Sequence, residues 1–152
     1  MTKYLTPLFA PLACHPGQKP EGYCLSADEQ TLFVSNRWSN TLSAIDTASM
    51  TVKHSASSRD DVTRIYRSGD GRMFTSNYGD RSLSIIDPTT LQETAYLKLD
   101  GRCIALTFHP SKPLAFISLD SDRVAVLDLS ELKILRYIAT QKEPDVSKVV
   151  LL

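Results

Sequence analysis

Short apolar runs separated by polar turns recur along the chain at a fixed interval. Ser43-Ala44-Ile45-Asp46, Ser84-Ile85-Ile86-Asp87 and Ala125-Val126-Leu127-Asp128 end on aspartates at 46, 87 and 128, 41 residues apart each time. Ahead of them lie Leu32-Phe33-Val34-Ser35-Asn36, Met73-Phe74-Thr75-Ser76-Asn77 and Ala115-Phe116-Ile117-Ser118. These segments are rich in aromatic and β-branched residues, as strands are. Earlier still come Ser26-Ala27-Asp28-Glu29-Gln30, Ser68-Gly69-Asp70-Gly71 and His109-Pro110-Ser111-Lys112-Pro113, with the Gly, Pro, Asp and Ser chemistry of hairpin turns.

Each unit reads as four strands: 22–25, 31–35, 41–45 and 50–55 in the first copy, 63–67, 72–76, 82–86 and 91–99 in the second, 103–108, 114–118, 123–127 and 132–139 in the third. In Leu83-Ser84-Ile85-Ile86 and Val124-Ala125-Val126-Leu127 both alternating sets carry apolar groups, so both sheet faces are expected to be covered. A sandwich sheet with one wet face would alternate more cleanly. A four-stranded unit of this period, hidden on both sides, is a propeller blade. The predicted fold is all-β, with three four-stranded antiparallel blades over 21–60, 61–100 and 101–140, a strand-like extension at 1–20, and 141–152 as a C-terminal extension or the start of a further blade.

Leu32 to Asn36 followed by Asn40-Thr41-Leu42-Ser43-Ala44-Ile45-Asp46 resembles the YVTN-type β-propeller repeat, a WD40-like architecture, and Met73 to Asp87 fits it equally. The third copy departs: Leu119-Asp120 follows Ser118 where the motif has Asn, and its loop is one residue shorter. The resemblance covers residues 21–140 and is specific for fold. For activity it implies only that such propellers serve as enzymes, ligand binders or surface proteins.

Three blades do not close a ring, because propellers need four to eight. Two chains closing a six-bladed ring as a homodimer is the expected solution, since an isolated wedge would expose the apolar outer faces of its end blades. The segments 4–13 and 146–152 could instead lock the seam, or the chain could be a fragment of a longer propeller.

Composition narrows the partners. The chain has 152 residues, and its 17 Lys+Arg balance 17 Asp+Glu, so no broad field steers it toward nucleic acid or an anionic membrane. No window approaches the ~20 apolar residues of a membrane span. Cys14, Cys24 and Cys103 are odd in number and lack a CxxC pair, which indicates neither a disulfide framework nor a thiolate metal site. Leu12-Ala13-Cys14 faintly resembles a lipoprotein cleavage site. A cytoplasmic location is expected, with surface or periplasm as the alternative if the N-terminus were processed.

Asp46, Asp87 and Asp128 are the most regular polar positions, each before a turn whose N–H groups a carboxylate can accept. His15, His54 and His109 share no metal-ligand spacing, Gly69-Asp70-Gly71 is a tight turn, and Asp120-Ser121-Asp122 lacks the glycine and remaining ligands of a calcium loop. No cofactor and no metal are expected. In propeller topology the loops between second and third strands share one rim with the loops between blades. That rim collects the candidate binding residues Arg37, Trp38, Asn40, Tyr78, Arg81, Arg102, Asp120, Asp122 and Arg123, beside Arg59, Asp60, Asp61, Asp80, Lys142 and Glu143. Exposed Trp, Tyr and Arg dominate interface energetics; Trp38 and Tyr78 could equally pack between blades. The leading expectation is a non-catalytic scaffold that binds a protein or small ligand there. The alternatives are a propeller enzyme such as a lactonase-type hydrolase, suggested by family resemblance alone, and a structural surface-layer-type repeat protein. The innermost strands offer Arg64, Tyr66, Thr107 and Cys24, a poor set for general base work.

Overall fold

The computed structural model describes residues 17–142 and 144–145. The candidate strand segments 4–13 and 146–152, with Cys14, His15 and Glu143, lie outside them. Twelve strands follow in chain order: β1 Pro20–Leu25, β2 Thr31–Asn36, β3 Thr41–Asp46, β4 Thr51–Ser57, β5 Val62–Arg67, β6 Met73–Asn77, β7 Ser82–Ile86, β8 Glu93–Lys98, β9 Cys103–Phe108, β10 Leu114–Leu119, β11 Arg123–Asp128 and β12 Lys133–Ala139. They form three four-stranded antiparallel sheets, each a meander of four consecutive strands. No helix among the described residues is long and apolar enough to cross a membrane.

Burial along the strands shows why the sheets stack. Every residue of β6 and β7 in the middle blade is buried, so both of its faces are hidden. Phe33, Leu42 and Ala44 of the first blade meet Val62, Ile65 and Met73 of the second in one apolar layer. Phe74, Leu83 and Ile85 meet Ile117, Leu119 and Leu127 of the third in another. At about 25 cal/mol per Å2 of apolar surface removed from water, these two layers are the main favourable term holding the blades together. The outermost strands β4 and β8 alternate between exposed and half-buried positions instead.

Polar contacts add register to this packing. The Ser35 hydroxyl, fully buried, accepts the Gly22 N–H at 3.0 Å and donates to the Thr63 carbonyl at 3.0 Å, tying two blades at their innermost strands. A Cβ on Gly22 would sit 2.7 Å from the Arg64 Cα and 2.7 Å from the Ser35 hydroxyl, so only glycine lets β1 and β5 approach this closely.

The repeat extends to backbone conformation. Asn40, Arg81 and Asp122 all have φ near +50° at the end of the β2–β3, β6–β7 and β10–β11 loops. Met50, Leu91 and Leu132 do the same one hairpin later. These three were expected to begin fourth strands. They close the turns instead, because a left-handed residue is needed to reverse the chain there, and Leu91 turns its side chain wholly into the core.

Candidate functional site

The loops between second and third strands and the loops between blades do share one rim. Arg37, Tyr78 and Asp120 donate their N–H groups to the carbonyls of Lys19, Asp61 and Arg102, while the carbonyls of Asn40, Arg81 and Asp122 accept from Ser58, Leu99 and Thr140. Backbone bonding therefore sews each hairpin to the connections on either side of its blade.

On that rim the candidate residues fall into separate groups. Arg37, Tyr78 and Arg102 come together near the innermost strands. Two guanidinium groups meet the Tyr78 ring, with the carbon of Arg102 4.8 Å and that of Arg37 5.6 Å from its centroid, each at cation–π distance. Arg37 is held on its far side by Asp61 through two hydrogen bonds and by Glu21 at 3.2 Å. Both fork contacts are charge-assisted, and the planar group is fixed by them. Tyr78 is half-buried in this stack, whereas Trp38 is 70% exposed, with the Lys19 ammonium 5.1 Å from a ring centroid. The two aromatic residues thus have different roles, one structural within the rim and one free at its surface.

The remaining candidates are placed apart from this stack. Asn40 bonds Asp60 and receives the Asp61 N–H at 2.8 Å, bracing the first inter-blade loop. Arg81 and Asp122 are exposed at their left-handed turn positions. Asp120 accepts the Arg102 N–H at 2.7 Å. Arg123 pairs with Asp100 at 2.8 Å and lies over Tyr137 at 4.8 Å. Arg59 forms a comparable cluster on the second blade, with Glu93 at 2.6 Å, Asp80 at 2.9 Å and the Tyr96 ring at 3.7 Å. Its hydrogen bond is the main reason the Glu93 carboxyl is held below its usual range.

Between the Tyr78 stack and the innermost strands is a cavity of about 230 Å3 lined by Glu21, Arg37, Thr63, Arg64, Tyr78, Cys103 and Ile104. Glu21 and Arg64 belong to it but were not among the binding candidates. The available signal was the single charged side chain at Arg64 between the apolar Val62 and Ile65. Burial pushes the Cys103 thiol up to about 12 and the Cys24 thiol to about 11, and it raises the Tyr66 phenol as well. These groups stay protonated at neutral pH and are poor nucleophiles or bases. Among the described residues no group of three or more His, Cys, Asp or Glu could hold a metal ion.

Asp46, Asp87 and Asp128 take the turn role expected of them. Their carboxylates accept N–H groups from Ala48 and Ser49, Thr89 and Thr90, and Ser130 and Glu131. His109 does likewise with its Nδ1, accepting from Ser111 and Lys112 at 3.1 Å each.

Fold and rim together define a β-propeller segment. No family model matches the chain, and no curated protein sequence matches it. Among solved structures it is similar to the hydrazine synthase of Kuenenia stuttgartiensis, at 20% identity and TM-score 0.75 over 92% of this chain. It is also similar to the WD40 repeats of RRP9, at 11% identity and TM-score 0.72, and to U3-55K, at 11% identity and TM-score 0.73, each over 83% of this chain. The chain spans only 40%, 40% and 41% of these three structures. At such identities the likeness concerns the fold.

Proposed function

We propose that this chain is a non-catalytic β-propeller scaffold that captures a protein or small ligand through its loop rim. The observation that carries the reading is the pairing of a fixed arginine–tyrosine–arginine stack with a neighbouring exposed tryptophan. Preordered aromatic and arginine side chains lose little conformational freedom on binding and are the types that anchor interfaces. The protonated thiols and phenol near the innermost strands weigh against acid–base chemistry there.

The test is affinity capture from cells of the source, followed by identification of what is retained. The variant Trp38→Ala/Tyr78→Ala/Arg81→Ala should lose the retained molecules while keeping its circular dichroism spectrum. Equal retention by both proteins would overturn the rim as the binding surface.

The blades are further proposed to be completed by a second copy, giving six. Tyr23 and Leu25 on β1, and Leu135, Tyr137 and Ile138 on β12, are exposed apolar side chains in the first and last blades, the kind of surface that association covers. A light-scattering mass of one chain at micromolar concentration would overturn the dimer.

A further inference from the structure

The cavity beside Tyr78 contains an arginine that forms no ion pair among the described residues. Arg64 is exposed, lies on the innermost strand of the middle blade, and has no ion-pair partner among the described residues. The other arginine of the lining, Arg37, is consumed by Asp61 and Glu21. Next to the stack, the Arg102 Nε is buried without a hydrogen-bond partner among the described residues, while its Nη1 stands 4.0 Å from the Asp120 carboxylate. A guanidinium presents a planar fork that matches a carboxylate with two parallel hydrogen bonds. The backbones of both arginines are held in place: the Arg64 N–H is bonded to the Ser76 hydroxyl at 3.1 Å and the Arg102 N–H to Asp120, while Gly22 lies close against the Arg64 Cα.

We infer that this cavity binds a carboxylate, with Arg64 as its principal contact and the Tyr78 ring as the wall against which the group's carbon skeleton rests. The volume of about 230 Å3 suits one small acid or one acidic side chain. The local charges explain why a carboxylate fits better than a more highly charged anion. Glu21 lines the cavity, Asp61 is paired with Arg37 of that lining, and both would repel a dianionic group more strongly than a monoanion.

The inference rests on the rim reading but names a different residue for its test. Lactate, inorganic phosphate and a blocked Gly-Glu-Gly peptide are titrated into the full chain at low salt and followed by amide chemical shifts. Arg64→Gln and Arg136→Gln are the variants, the second removing an exposed arginine on β12 remote from the cavity. Lactate or the peptide should bind, and Arg64→Gln should weaken the affinity about tenfold, in keeping with loss of a charge-assisted hydrogen bond, while Arg136→Gln leaves it unchanged. Binding of lactate alone indicates a small-molecule acid, and tighter binding of the peptide an acidic protein segment; each supports the site. Equal weakening by both variants, no binding of either carboxylate, or phosphate binding more tightly than either overturns it. If Arg64→Gln leaves carboxylate binding intact while the Trp38/Tyr78/Arg81 variant still loses its captured molecules, this inference fails and the rim reading survives.

Discussion

The first two blades and the third solve the same hairpin with opposite chemistry. In the first, the Asn36 amide donates to the hydroxyls of Thr41 at 3.2 Å and Ser43 at 3.1 Å. In the second, the Asn77 amide donates to Ser82 at 3.0 Å and Ser84 at 2.7 Å. In the third, the three corresponding positions are Leu119, Arg123 and Ala125, and the fully buried Leu119 joins the apolar layer between blades. Three positions have changed together. A buried amide is tolerated only when its hydroxyl partners are present, and an apolar plug only when they are not. The backbone bond that ends the strand survives, since Asp120 still donates to the Arg102 carbonyl.

Exchanging the plugs should break the comparison. Leu119→Asn places an amide among Ala125, Leu127 and Ile117 with no hydroxyl to receive it, and should cost about 2–4 kcal/mol through lost packing and an unsatisfied polar group. Adding Ala125→Ser should return roughly 0.5–1.5 kcal/mol by restoring one acceptor. The reverse change, Asn77→Leu, should cost less, about 1–2 kcal/mol, because Ser82 keeps Asp80 and Ser84 keeps Glu93 at 2.7 Å. Urea denaturation midpoints at constant slope measure all three. An Asn77→Leu loss as large as that of Leu119→Asn would show that the two plugs are not matched to their surroundings.

The opposite end of the blade gives a smaller, pH-dependent effect. The Asp46 carboxyl falls from the ordinary 3.8 to about 2, mainly because it accepts the Ser49 N–H, then through the Ser49 hydroxyl and Lys53. A depressed carboxyl contributes stability that is present above its ordinary value and fades as pH falls toward its folded value, here between about pH 4 and pH 2. Asp46→Asn should therefore lower the denaturation midpoint above about pH 4, leave it little changed near pH 2, and so narrow the difference between those two pH values. An unaltered acid profile would remove Asp46 from the balance.

Much of the fold was legible because its cause is local. The 41-residue spacing of Asp46, Asp87 and Asp128 reflects a turn that each carboxylate closes by itself. The two-faced apolar pattern of β7 required a neighbour on both sides. The starts of the fourth strands were less legible: nothing in the side chains of Met50, Leu91 or Leu132 announces a left-handed backbone. At the site, the rim could be assembled from topology, but its division into a stacked Tyr78 and a free Trp38 could not. That division depends on which arginines lie across the neighbouring blade, and Arg37 and Arg102 are far from Tyr78 in the chain.

By itself the sequence determined the repeat, the four-stranded unit and the turn aspartates, because period, turn chemistry and alternation act over a few residues. Only the tertiary structure decided which charges are spent and which remain. Arg37 is neutralised by Asp61 and Glu21 from two blades, while Arg64, which lines the same cavity as Glu21, has no ion-pair partner among the described residues. Such an outcome is a property of distances between blades, and the order of residues along one chain does not contain them.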